Sequence, residues 1–158
     1  MDLHVTLTED HGRLDELLAA AIRDPETIDE GAWAEFRRGL LRHIGIEERV
    51  LFPLVRKIAG ATEFERRLHR DHAALAALLV PPPRRDDIAQ IRAILDEHNP
   101  IEESPGGFYD FVEQLPGLDR DTMMERVRAY AEVQTAPYTD SELLRRTIER
   151  LLRARRES

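Results

Sequence analysis

The sequence predicts an all-α protein, an antiparallel up-down four-helix bundle with additional helices toward its C-terminal end. Three observations carry this expectation. Apolar residues recur at steps of three and four through four long segments, start and stop signals bracket those segments, and the second half of the chain repeats the pattern of the first.

The first helix carries the seam His4, Leu7, His11, Leu14, Leu18 and Ala21, and Asp24-Pro25 ends it. Thr27-x-x-Glu30 reads as a capping box opening the second, whose seam is Trp33, Phe36, Leu40, His43, Glu47, Val50 and Leu54 and whose close is Gly60. A second box, Thr62-x-x-Glu65, opens the third helix, with Leu68, His72, Leu75 and Leu79 on one face. Pro81-Pro82-Pro83 cannot continue a helix and separates the two halves. The fourth helix carries Ile88, Ile91, Leu95, His98 and Glu102, and Ser104-Pro105-Gly106-Gly107 interrupts it just beyond that pair. Pro100 removes one amide donor there and predicts a bend. Residues 1–115 thus read as the bundle, in half-repeats of about 1–60 and 61–115, and 116–158 as a C-terminal helical extension. Short helical pieces are expected near Phe108–Leu115 and Thr122–Tyr130, then an irregular stretch through Pro137. Thr139-x-x-Glu142 is expected to cap a last amphipathic helix with Leu143, Leu144, Ile148, Leu151 and Leu152, packed across the bundle or against another subunit.

Composition removes several function classes. With no cysteine, there are no disulfides, thiolate metal sites, iron–sulfur clusters or thiol catalysis, so any metal is held by nitrogen and oxygen. A net charge of −8 argues against nucleic-acid binding, which needs a basic footprint. No apolar run reaches membrane-spanning length, and Met1-Asp2-Leu3-His4 lacks the character of a signal peptide, so the expected location is cytoplasmic. Arg145, Arg146, Arg150, Arg153, Arg155 and Arg156 are expected to stay solvated near the last helix terminus, with a docking surface for a protein partner or a second copy as the alternative.

Four short patterns carry chemistry: Asp10-His11, His43-x-x-x-Glu47, Asp71-His72 and His98-x-x-x-Glu102. A histidine and a glutamate at i and i+4 stand about 6 Å apart along the axis on one face. Alone, such a pair is ordinarily a surface ion pair. Here both copies lie in phase with buried seams, and burying unpaired carboxylates costs several kcal/mol. The seams contain no lysine or arginine to compensate them, whereas a pair of transition-metal ions would. Without metal, Glu47 and Glu102 are expected to repel until one takes a proton.

On these motifs the chain resembles hemerythrin-like proteins of the HHE cation-binding family over about residues 1–115. The resemblance implies a bundle around a non-haem di-iron centre bridged by oxide or hydroxide, with His11, His43, Glu47, His72, His98 and Glu102 as ligands and Glu47 and Glu102 as bridges. Zinc or manganese stays open from ligand type. Oxygen-carrying hemerythrins use five histidines and an aspartate bridge. This chain offers four well-placed histidines and two glutamates, which leaves an open position on both ions.

The remaining polar residues receive weaker assignments. His69 can fill a vacancy but is placed beside the site or at the surface, and His4 in a capping or core role. Glu48 and Glu103 point roughly 100° away from the bridges, toward solvent or the site's periphery. Asp10 and Asp71 are expected to be solvated rather than to orient histidines. Tyr109 can ligate ferric iron as a phenolate if the glycine turn swings it inward. The expected function is binding or processing of oxygen, nitric oxide or hydrogen peroxide, with enzymatic activity left open. Iron storage or donation, including repair of damaged iron centres, is the alternative, and a metal-free histidine phosphotransfer bundle the third reading.

Overall fold

A computed structural model describes residues 2–157, which form helices and connecting loops with no strand among them. The order is α1 (Leu3–Ala21), α2 (Glu30–Ile46), a π turn (Glu47–Leu51), α3 (Phe52–Ala59), α4 (Glu63–Leu78), α5 (Arg85–Glu103), α6 (Phe108–Glu113), α7 (Arg120–Arg128) and α8 (Glu142–Arg156). The rods α1, α2–α3, α4 and α5 make the bundle, with α1 packed on α2 and α4 on α5. No helix among the described residues is long and apolar enough to cross a membrane.

Local chemistry sets most boundaries. Thr62 accepts a hydrogen bond from the Glu65 amide at 3.1 Å and opens α4, and Gly60, at φ +78°, closes α3. Two boundaries depart from expectation. Asp29, not Thr27, caps α2 by accepting from the Ala32 amide at 3.0 Å, and Ser141, not Thr139, caps α8 through the Leu144 amide at 3.0 Å. Aspartate and serine are better N-caps than threonine, and the Thr139 amide is already committed to the Val80 carbonyl.

The second rod is not one continuous α-helix. From Glu47 to Leu51 it widens into a π turn, and the Phe52 amide reaches back five residues to the Glu47 carbonyl. Pro53 accounts for the place: it has no amide hydrogen to offer, and its ring would collide with the carbonyl four residues back. The extra residue shifts the downstream face by one. Val55 is therefore buried where the regular seam predicted Leu54, which is only half-buried.

The core falls into two apolar clusters. One gathers Leu3, Leu7, Ile46, Leu51, Phe52 and Phe108 with α6 and α7; the other gathers Leu14, Leu18, Trp33, Phe36, Leu75 and Ile91, joined by Ile148 and Leu152 of α8. Between them lies a layer of buried polar side chains. The last helix packs on α4 of its own chain. Two of its arginines are consequently not solvated as expected: Arg145 forks onto Asp87 at 2.9 Å, and Arg155 reaches Asp71 and Glu97 at 3.0 Å. The loop before α8 is tied down by Arg42, bonded to the Tyr130 carbonyl, and by buried Arg37, bonded to the Leu79 and Ala136 carbonyls.

Candidate metal centre

All six residues singled out by spacing are buried in the polar layer. His11 comes from α1, His43 from the last turn of α2, Glu47 from the start of the π turn, His72 from α4, and His98 and Glu102 from α5. Their donor atoms form two neighbouring groups, His11, His43 and Glu102 in one and Glu47, His72, His98 and Glu102 in the other, with the atoms of each within 4.8 Å of one another.

The glutamates connect the two groups. Glu47 turns Oε2 toward His43 Nε2, 3.5 Å away, and Oε1 toward His72 Nε2, 3.1 Å away. Glu102 turns Oε1 toward His11 Nε2 at 3.0 Å and Oε2 toward His98 Nε2 at 3.1 Å. Each carboxylate thus presents one oxygen to each histidine pair, as a carboxylate spanning two cations must. Glu47 Oε1, Glu102 Oε2 and His72 Nε2 are buried without a hydrogen-bond partner. Polar atoms are rarely left so in a core, and a cation among them would satisfy all three. The donor set fits a metal ion.

A second ring of carboxylates fixes the histidines. His43 Nδ1 donates to Asp10 at 2.8 Å, His98 Nδ1 to Asp71 at 2.9 Å, and His11 Nδ1 to Glu103 at 2.7 Å. His72 Nδ1 faces Glu48 at the longer distance of 3.7 Å. An ionised carboxylate can only accept, so the Nδ1 hydrogen is assigned by its partner and the Nε2 lone pair is left to point inward. The pattern follows the repeat. Asp10 and Asp71 serve the next helix of their own half, whereas Glu48 and Glu103 cross to the other half. This corrects the expectation that the aspartates are solvated. A residue 100° off the seam of a bundle helix faces the neighbouring helix as readily as water, and each acid sits beside a ligand in sequence, which was the available signal.

His69 is 67 % exposed and paired with Glu48, apart from both donor groups. His4 bonds the Glu103 carbonyl at 2.7 Å and sets its ring edge-on to Tyr109. Tyr109 itself is fully buried, with its hydroxyl at the centre.

Burial disfavours the charged form of every group here, but the groups compensate one another. For His43, burial is outweighed by the charge of Glu47 and the hydrogen bond to Asp10, and its pKa stands well above the usual value. His98 is pushed up to about 10, burial again being overcome by Glu102 and Asp71. Burial raises the Glu47 carboxyl, yet the charge and hydrogen bond of His43 hold it well below the usual range. Without metal, a proton is therefore favoured on His43, His72 and His98. The expected uptake of a proton by a carboxylate is disfavoured at Glu47, because the neighbouring His43 and His72 outweigh the cost of burial.

A four-helix bundle that encloses two linked groups of histidine and glutamate is a metal-binding protein of the bundle-core type. The family model for the Hemerythrin HHE cation binding domain matches residues 2–156, and the chain belongs to this family. No curated protein and no solved structure matches it.

Proposed function

We propose that the centre holds two non-haem iron ions and that it binds and processes a small ligand: oxygen, nitric oxide or hydrogen peroxide. The observation that carries this reading is a cavity of about 40 Å³ against the polar layer. His11, His43, Glu47 and His98 form its inner wall, and Leu14, Leu18, Leu40, Leu75 and Leu95 its sides. Since a water needs roughly 10–15 Å³ of such space, the cavity takes about three molecules of that size. Asp15 and Arg92, paired at 3.1 Å, stand at its lining on α1 and α5. The leucines favour an uncharged diatomic or peroxide, while Asp15, Arg92, Asp96 and Asn99 make the rest of the lining polar.

Six donor residues, with two carboxylates each offering an oxygen to both groups, suit a pair of ions and overfill one. When bound, iron supplies the electrons for reduction of the ligand. The chain supplies the fixed Nε2 donors, the two spanning carboxylates and the narrow approach. Reduced protein exposed to oxygen is expected to oxidise rapidly and irreversibly, and added peroxide to be consumed, with about two irons per chain by elemental analysis. One ion per chain at saturation, or an oxygen complex that releases its oxygen under vacuum, would overturn this reading.

A further inference from the structure

We propose that Tyr109 is a metal ligand, its phenolate oxygen completing the coordination of the ion held by His11 and His43. The inference rests on the binuclear reading above and adds a seventh protein donor to it.

The hydroxyl oxygen lies 2.8 Å from Glu47 Oε2, 3.0 Å from Glu102 Oε1, and 3.2 Å from both His11 Nε2 and His43 Nε2. Three of those four atoms are themselves closely spaced, His11 Nε2 being 3.1 Å from His43 Nε2 and 3.0 Å from Glu102 Oε1. Bonds of about 2.1 Å to a common ion place adjacent donors about 3.0 Å apart. The Tyr109 oxygen, His11 Nε2, His43 Nε2 and Glu102 Oε1 therefore have the mutual spacing of vertices around one cation, with Glu47 Oε2 beside them.

Hydrogen bonding alone accounts poorly for this crowding once the site is loaded. The phenol has one hydrogen, so it can serve one of the two carboxylates at a time. The Nδ1 hydrogens of His11 and His43 are committed to Glu103 and Asp10, and with a metal present their Nε2 atoms carry lone pairs. A neutral phenol oxygen would then face two imidazole lone pairs and a carboxylate with nothing between them. A cation at their centre removes that conflict. The metal–oxygen bond replaces the O–H bond, and the proton leaves to buffer.

The chain is built to deliver the ring. After Glu102 it reverses through Gly106, at φ +79°, and Gly107, where a Cβ would lie 2.6 Å from the Ile101 carbonyl oxygen and 2.8 Å from that of Ser104. Only a tight glycine turn returns α6 to the end of α5, so that Tyr109 meets Glu102 seven residues back. No corresponding tyrosine serves the other histidine pair. The orphaned atoms Glu47 Oε1, Glu102 Oε2 and His72 Nε2 all lie on that side, so the two ions are unequal.

The test uses the full chain, freed of metal, loaded anaerobically with ferrous iron and then oxidised in air. Ferric wild type is expected to show a visible phenolate-to-iron charge-transfer band with enhanced phenolate ring modes in resonance Raman. Tyr109→Phe should lose both while keeping its iron by elemental analysis. Should that variant fail to fold, Tyr130→Phe with Tyr138→Phe leaves Tyr109 as the one remaining tyrosine of three, and the band must persist. Iron-loaded ferric protein without phenolate modes, or a band unchanged in Tyr109→Phe, would overturn the proposal while leaving the binuclear reading intact. If iron is refused, zinc titration reads the same ligand as an ultraviolet tyrosinate difference signal absent from Tyr109→Phe. A chain that takes up neither metal would refute both.

Discussion

The acids next to the ligands decide which face of each imidazole is available. Asp10 and Asp71 hold the Nδ1 hydrogens of His43 and His98, and Asp71 is in turn held by Arg155. Replacing a carboxylate that orients a metal-bound histidine typically costs about 10–100-fold in metal affinity. Asp71→Asn is expected to fall in that range by competition with a chelator, and Glu47→Ala to lose most bound metal. Glu48→Ala should retain it with a smaller loss, because Glu48 stands 3.7 Å from His72 and does not face the centre. Equal losses for Glu47→Ala and Glu48→Ala would mean that the helix is turned differently. At this scale the six seam residues were legible from spacing. The orienting acids and the central position of Tyr109 were not, because both depend on how neighbouring elements are rotated and on where a glycine turn leads.

The π turn is the element whose form sequence periodicity could not supply. Heptad-like spacing assumes a constant rotation per residue, and Glu47–Leu51 breaks it just at a ligand. Deleting exposed Arg49 together with Pro53→Ala would remove the additional residue and the proline clash and let the rod run as a regular helix, with both Glu47 and Val55 still facing inward. That variant is expected to leave a cooperatively folded protein with a Tm close to wild type. Deleting exposed Ala93 from regular α5 should instead rotate Ile88 and Ile91 by about 100° against His98 and Glu102 and abolish cooperative melting. Similar melting behaviour for the two would argue against the phase slip. The other helices were legible to within a few residues because their caps and prolines act locally. The docking of α8 was less so, since an amphipathic stripe states that a face is covered without stating by what. Here α4 covers it, with Arg145 and Arg155 as its two anchors.

Across the whole molecule, two apolar clusters are separated by a layer of ionisable groups, so stability is tied to what occupies that layer. His98 titrates near 10 when folded against an ordinary 6.5, so in the metal-free protein its contribution is full below 6.5 and disappears as pH rises through 10. Glu47 acts in the opposite sense: its contribution is present above the usual carboxylate range and is lost only as pH falls through its lowered value. The metal-free Tm should therefore decline between pH 6.5 and 10, while metal-loaded protein, in which cations replace the imidazole protons, declines much less. Thermal melts of both forms across that interval check it, and a metal-free Tm that stays level would contradict it. The narrow cavity has a consequence of another kind. On the proposed reading, a cavity of about 40 Å³ would hold a diatomic or peroxide and leave no room for an organic reductant, which would have to act from the surface. On that reading, electrons that reset the centre would cross the protein by tunnelling. Two hydrogen-bonded routes lead outward, one from His11 to partly exposed Glu103 and one from His43 through Asp10 to Arg13.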